Sequence, residues 1–492
     1  MFRSLRHTLR VLRKNPGFTL IAIASLAIGI GFTSASFSIA DVLLLRPMPL
    51  PEPSRVVAVT PARQGAFGAN TGLSYPDYRD FRDRNRSFDG LFAYTYNSLG
   101  FSPDASTVPK VAFSSFVSGN YFRALGVQPI LGRAFLDSED QVPGRDAVAI
   151  LGYDFWLTEF NASPAVIGST IRLNGIECKV VGVTGKQFTG TNQMLNPPVF
   201  LPIAMLPRMS QANTLEQRNV RFFNVKGRLK PGVSVAQANA DLSAISTELA
   251  RMYSATNRDL DIQVETELQY RIKQVPPQAA MAVLQGVLSL CILLVACANV
   301  AGLLLSRARA RSREMAVRLA IGGGRAALIR QLLLENLVLA LAGGLAGILL
   351  AYNIVDFFNS IPIPADIPIA FHAAIDQRML LFTLAVAVLS VFVFGLAPAL
   401  QTTQVDLVPA LKSSDASGGG RRRLWGRNLI VVSQLALSLV ILIVTAVGRQ
   451  TFSDQLHQGL GFRTDHLYIH GFDTAPVHYS PEQTKKFYKE LL

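Results

Sequence analysis

The chain has 492 residues, of which 50% are hydrophobic and only 16% charged, against roughly 25% charged in an ordinary soluble domain. Its apolar residues gather in five runs of about 20 or more, the length that crosses a bilayer, so a purely soluble enzyme is excluded. Three cysteines are too few for a disulfide scaffold. The net charge of +14 points to a membrane rather than to nucleic acid because of where the basic residues stand. Arg3, Arg6, Arg10, Arg13 and Lys14 precede the first apolar run, and seven arginines from Arg307 to Arg330 follow the second. Lys412, Arg421, Arg422, Arg423 and Arg427 lie between the fourth and fifth, whereas 356–376 has Asp356, Asp366 and Asp376 and no Lys or Arg. Such alternation is what the positive-inside rule produces.

The first run, about 18–45, is too long for a signal-peptide core of 7–15 residues and reads as an uncleaved anchor. At 1.5 Å per residue it reaches roughly 40 Å, more than the hydrocarbon thickness, so Asp41 is expected beyond the lipid. Residues 46–278 then carry the main soluble domain. Val56–Val59, Val148–Leu151, Ile171–Leu173 and Lys179–Val183 read as strands. Pro76–Arg86 and Val233–Tyr253 read as helices, the second with Val235, Ala238, Leu242, Ile245 and Leu249 on one stripe. This mixture predicts an α+β domain or two α/β lobes.

The remaining spans are expected near 279–306, 331–354, 379–400 and 428–448. The second, like the first, exceeds the bilayer, and the surplus predicts a stalk beneath the domain. Gly343 and Gly347 have the GxxxG spacing that lets two helices approach closely. Glu335 lies just over one turn past Arg330, which suggests an interfacial ion pair. Between the second and third spans, Arg307, Arg311, Glu314 and Arg318 fall at i, i+4, i+7 and i+11, a charged face on an amphipathic helix. Gly322, Gly323 and Gly324 break the helix before the next span. Two readings of this face stay open: attraction to anionic lipid, or a coupling helix that docks on a cytoplasmic partner.

Chemistry is sparse. No histidine occurs between His7 and His372, and Cys178 is the only cysteine of 46–278, which removes a His-dependent triad and the usual zinc sites there. No G-x-x-x-x-G-K-[ST] is present. His466 and His470 share a face but have no acidic partner at fixed spacing. Neither catalysis nor a cofactor or metal is expected, and if nucleotide energy drives this protein, another chain supplies it.

The segment SREMAVRLAIGGGRAALIRQLLLENLVLALAGGLAG (312–347) resembles the signature region of the MacB/FtsX-like ABC transporter permeases. SGNYFRALGVQPILGRAF (118–135), VAILGYDFWLTEF (148–160), VIGSTIRLNGIECKVVGV (166–183) and GRLKPGVSVAQANADL (227–242) are similar to that family's periplasmic core domain. The resemblance covers about 1–412. It implies a polytopic α-helical membrane protein of about five spans, with an α+β extracytoplasmic domain between spans one and two. The expected divisions are 1–45 (basic N-terminus and first helix), 46–278 (periplasmic core domain), 279–412 (FtsX-like permease domain), 413–427 (basic cytoplasmic linker), 428–448 (fifth helix) and 449–492. The last resembles the start of a second periplasmic domain, as in large duplicated permeases, so a partial second repeat is expected. The resemblance also implies a separate cytoplasmic ABC ATPase, coupled through Arg307, Arg311, Arg313, Glu314, Arg318 and Gly322–Gly324. It leaves room for a homodimer, a periplasmic adaptor and an outer-membrane channel. The expected setting is the lipid of a bacterial inner membrane, with the N-terminus cytoplasmic and the main domain periplasmic. Two functions fit: export by mechanotransmission, or FtsX-like activation of a periplasmic partner such as a cell-wall hydrolase.

Overall fold

The chain starts in two consecutive helices, α1 (Phe2–Arg13) and α2 (Pro16–Ala40). Pro16 opens α2 at a position where its missing N–H costs nothing, and α2 continues into a π-helical turn over Asp41–Leu45. The computed structural model describes residues 2–62, 72–104, 106–192, 195–210, 213–274, 276–310, 325–360, 376–403, 421–457, 479 and 481–491. They divide into two compact units, one holding the chain up to Leu43 with the long helices from Pro277 onward, the other holding Leu44–Pro276 together with the described residues from 479 to 491.

The second unit is built on one mixed sheet. Its elements are β1 (Val56–Pro61), α3 (Tyr75–Arg84), β2 (Phe88–Ser102), β3 (Lys110–Val117), α4 (Tyr121–Leu125), β4 (Leu131–Gly132), β5 (Val148–Leu151), α5 (Tyr153–Glu159), β6 (Thr170–Leu173) and β7 (Ile176–Val183). They continue with β8 (Val199–Pro202), α6 (Leu206–Ser210), β9 (Asn224–Leu229), α7 (Val235–Met252), α8 (Ser254–Asn257), β10 (Ile262–Thr266) and α9 (Glu267–Gln274). The strand order is β10-β1-β9-β2-β3-β8-β5-β7-β4, with β6 pairing β2 and β7. Among the described residues only β3–β8 and β5–β7 are parallel.

Both faces of the sheet are covered, so the strands alternate between two cores rather than between core and water. Val57, Val59, Ala149, Leu151 and Val225 enter one core with Ala238, Leu242, Ile245 and Leu249 of α7. Val56, Phe92, Ile150 and Phe200 enter the other with Tyr121, Phe122 and Leu125 of α4. The rings of Phe122, Phe188 and Phe200 meet at centroid distances of 5.6–5.9 Å. Each fully buried ring is worth roughly 1.5–3 kcal/mol by area alone. The helix read as starting at Val233 starts at Val235 because Ser234 is its N-cap. Ser234 Oγ accepts the Gln237 N–H at 3.2 Å, and Gln237 Oε1 accepts the Ser234 N–H at 2.9 Å. The helix read through Arg86 stops at Arg84, capped by Asn85.

The long helices are α10 (Pro276–Ala310), α11 (Arg325–Ser360), α12 (Gln377–Thr403) and α13 (Arg421–His457), with a short α14 (Pro481–Leu491) at the end. Among the described residues four helices are long and apolar enough to cross a membrane: Pro16–Leu45, Ala279–Leu304, Ile329–Ser360 and Val431–Asp454. The fourth apolar run of the sequence falls on α12, whose described apolar stretch is the shorter Gln377–Phe392. Leu26, Ile30, Cys297, Val300, Leu339, Ala340, Ala387 and Val391 form the core of this unit. Glu335 is buried on α11 while Arg330 is exposed.

Candidate functional site

Helix α2 is the axis of the membrane unit, and its sequence gives it three different contact faces. Glycines make the first. A Cβ on Gly343 of α11 would stand 2.6 Å from the Leu26 Cβ, and one on Gly31 would stand 2.8 Å from the Gly347 carbonyl oxygen. A Cβ on Gly347 would lie 3.1 Å from the Gly31 nitrogen. Only hydrogen fits at these points, so the two backbones touch.

Positions 29, 33 and 36, spaced i, i+4, i+7, make the second face, against α10. A Cβ on Gly29 would meet the Ala296 Cβ at 2.7 Å. Thr33 donates to the Ser289 carbonyl at 3.2 Å, and the Ser289 hydroxyl donates to Ser36 at 2.7 Å. Positions 34, 37 and 41 make the third, against α12. The Ser34 and Thr383 hydroxyls are 2.7 Å apart, and Phe37 stacks on Phe382 at 4.1 Å. Asp41, buried by protein, accepts from Arg378 at 3.3 Å. Hydroxyls hydrogen-bonded across apolar helices are typically worth about 0.6–2 kcal/mol each, so α2 is held by polar contacts at several levels. Away from α2, Gln434 of α13 donates to Asn299 of α10 at 2.6 Å.

Among the residues singled out in the sequence, Gly343 and Gly347 sit in this packed seam, and Arg307 stands in the last turn of α10. Arg311, Arg313, Glu314, Arg318, Gly322, Gly323 and Gly324 lie outside the described residues, as do His466, His470 and much of 413–427 and 449–492. Sequence reasoning missed Ser34, Ser36, Ser289, Thr383 and Arg378, and it named Asp41 without its partner Arg378. The available signal was polar residues at 33, 34, 36, 38 and 41 interrupting an apolar run. Among the described residues no group of three or more His, Cys, Asp or Glu converges as a metal site. The three cysteines are free, and burial pushes the Cys178 thiol up to about 12.

Residues 19–245 match the MacB-like periplasmic core domain, and residues 286–407 match the FtsX-like permease C-terminal domain. The chain belongs to the MacB/FtsX-like ABC transporter permeases. It is a polytopic membrane protein with a periplasmic core domain, which sets it in the inner membrane as a multi-pass chain. Among curated proteins it is similar to the pyoverdine export ATP-binding/permease protein PvdT of Pseudomonas syringae pv. tomato. Identity there is 27% over 313 residues, covering 62% of this chain and 44% of the relative. The macrolide export ATP-binding/permease protein MacB of Burkholderia pseudomallei is 23% identical over 308 residues, covering 61% and 43%. The chain thus spans under half the length of these relatives. Two solved structures are also similar: the periplasmic region of MacB from Actinobacillus actinomycetemcomitans, and the extracellular domain of the ABC-type transporter YknZ from Gram-positive bacteria. The first has TM-score 0.34 at 14% identity, covering 46% of this chain and 93% of that one. The second has 0.32 at 13%, covering 43% and 100%.

Proposed function

We propose that this chain is the permease component of an ABC-type export system, in which ATP hydrolysis on a separate cytoplasmic ATPase moves the periplasmic domain. The observation that carries the reading is the order of its two family domains, with the core domain inserted between α2 and the permease helices. The curated relatives bear export and ATP-binding in one name, whereas the sequence here holds no Walker-type phosphate loop. In this reading the ATPase acts on the permease through contact.

In this reading the helices cross the membrane five times, with the N-terminus, 307–330 and 401–427 in the cytoplasm, as the alternation of basic residues requires. The surplus length of the first two spans forms a stalk. The face formed by Arg307, Arg311, Glu314 and Arg318, with Arg313 beside it, docks on the ATPase, and Gly322–Gly324 join that lever to α11. A periplasmic adaptor and an outer-membrane channel complete the export route, and a second copy of the chain supplies the other half of a symmetric unit. The test is to co-purify the ATPase with the inserted permease and measure its stimulation. Arg311→Glu with Arg318→Glu weakens association and abolishes stimulation while insertion survives. Undiminished binding per inserted molecule refutes the coupling face and leaves attraction to anionic lipid as its role.

A further inference from the structure

Strand β9 lies mid-sheet, between β1 and β2, and Lys226 at its centre faces Ala58 and Phe92 across the two pairings. A lysine buried to 1% exposure in a sheet interior is costly unless its ammonium is paired. Here Lys226 donates to Glu267 at 2.8 Å and to the Thr191 carbonyl at 3.2 Å, with its Nζ 4.9 Å from the Tyr270 ring centre. Burial depresses the ammonium's pKa, and Glu267 works against that shift.

Glu267 is the first residue of α9, where a carboxylate is favoured by the helix dipole. Its second oxygen accepts from Arg271 Nε one turn on, at 3.0 Å. Arg271 has a further task. Its Nη1 donates to the Arg46 carbonyl at 2.8 Å and to the Leu44 carbonyl at 3.3 Å. Tyr270 adds a bond from its hydroxyl to Asn224 at 3.3 Å, and Lys273 pairs with buried Glu265 of β10. All these residues belong to the unit Leu44–Pro276. Leu44–Arg46 is where the chain comes into that unit, and α9 is its last helix before α10 begins at Pro276. One guanidinium therefore holds the incoming strand of chain, and one carboxylate joins that guanidinium to the middle of the sheet.

We propose that Lys226, Glu267 and Arg271 form a clasp that binds the first and last segments of the periplasmic domain into one rigid base. Displacement of either segment is then passed to the other and to β9. The clasp rests on the reading of the chain as a mechanically driven permease, and it assigns the domain end of that drive to named positioning residues. Arginine is required at 271 because a lysine can meet Glu267 but lacks the forked donors that reach the Leu44 and Arg46 carbonyls at the same time.

The experiment is peptide-level hydrogen exchange on the full chain in lipid nanodiscs, with and without the partner ATPase and ATP. Arg271→Gln raises exchange roughly tenfold or more in peptides spanning both 44–50 and 267–274, and leaves 148–183 unchanged. Arg271→Lys restores protection to 267–274 but not to 44–50, a split that general loss of stability does not produce. Should Arg271→Gln fail to fold, Glu267→Gln tests the same link, with loosening again required in both segments. A rise confined to 267–274 in either glutamine variant overturns the clasp. The drive itself is read separately in the unaltered chain. If ATP turnover changes exchange in neither segment, the mechanical reading falls, whatever the variants show.

Discussion

The Gly343 contact allows the packing of α2 against α11 to be weighed directly. A methyl group at 343 would sit 2.6 Å from the Leu26 Cβ, 3.4 Å from its Cδ1 and 3.6 Å from the Ile23 carbonyl. Carbon atoms prefer about 3.5–4.0 Å, so the helices have to part by about 1 Å, and Leu26 cannot swing its Cβ away. Overpacking of this kind costs about 1–3 kcal/mol. Any Gly→Ala change within a helix also gains up to about 1 kcal/mol in propensity, which blurs a single measurement. Gly302→Ala on α10 supplies the reference, because nothing lies within 4 Å of its added Cβ. The propensity gain is common to both variants, so their difference isolates the packing cost. We expect Gly343→Ala to be less stable than Gly302→Ala by about 1–3 kcal/mol. The assay is thermal exposure of the buried Cys297 thiol to a thiol-reactive fluorophore in a background with Cys178→Ala and Cys291→Ala, since Cys297 belongs to the same core as Leu26 and Ala340 and is then the one thiol left. Equal midpoints for the two variants, or the reverse order, refute the seam.

The same thiol assay tests Asp41 and Arg378. Arg378→Gln leaves a buried carboxylate without this partner, and a cycle with Asp41→Asn should give a coupling of about 0.5–3 kcal/mol. Asp140 accepts the Gly119 and Ala204 amides at 2.9 Å each, yet burial raises its pKa to about 6. The folded state therefore holds its proton at a higher pH than the unfolded one. Stability contributed by this group is full below about pH 4 and is lost as pH rises to about 6, by up to about 2 kcal/mol for a partly solvated carboxylate. Asp140→Asn should flatten that part of the profile, followed by Trp156 fluorescence in a Trp425→Phe background. Ser234→Ala removes the N-cap of α7 and should cost about 1 kcal/mol by the same signal.

The parts of the fold readable from sequence are those whose physics is local. The stripe Ala238, Leu242, Ile245 and Leu249 is buried on α7, because a 3.6-residue period is visible within one segment. Val148–Leu151 and Lys179–Val183 are strands, since short β-branched runs have little else to form. Which strands are neighbours depends on contacts far apart in the chain, and no local pattern announces that β1 lies between β9 and β10. Lys226 illustrates the limit most sharply. In sequence it is an ordinary lysine in NVKGRL, and only the arrival of α9 makes it a buried, paired cation. Gly343 and Gly347 were visible by their spacing, but their partners Leu26 and Gly31 were not, because spacing describes one helix at a time. The hydroxyls of α2 could be counted but not assigned to α10 or α12.

The first and last strands of the periplasmic domain, β1 and β10, lie side by side, with Val57 opposite Thr266 and Pro61 opposite Ile262. A domain whose two ends meet can be set into a host chain as an interruption, because the host needs only a short gap to receive it. Excision should be equally simple in outline: a few flexible residues between the end of α2 and the start of α10 replace the whole sheet without stretching either helix. A change in the strands far from this junction therefore asks nothing of the two chain segments that lead into the domain.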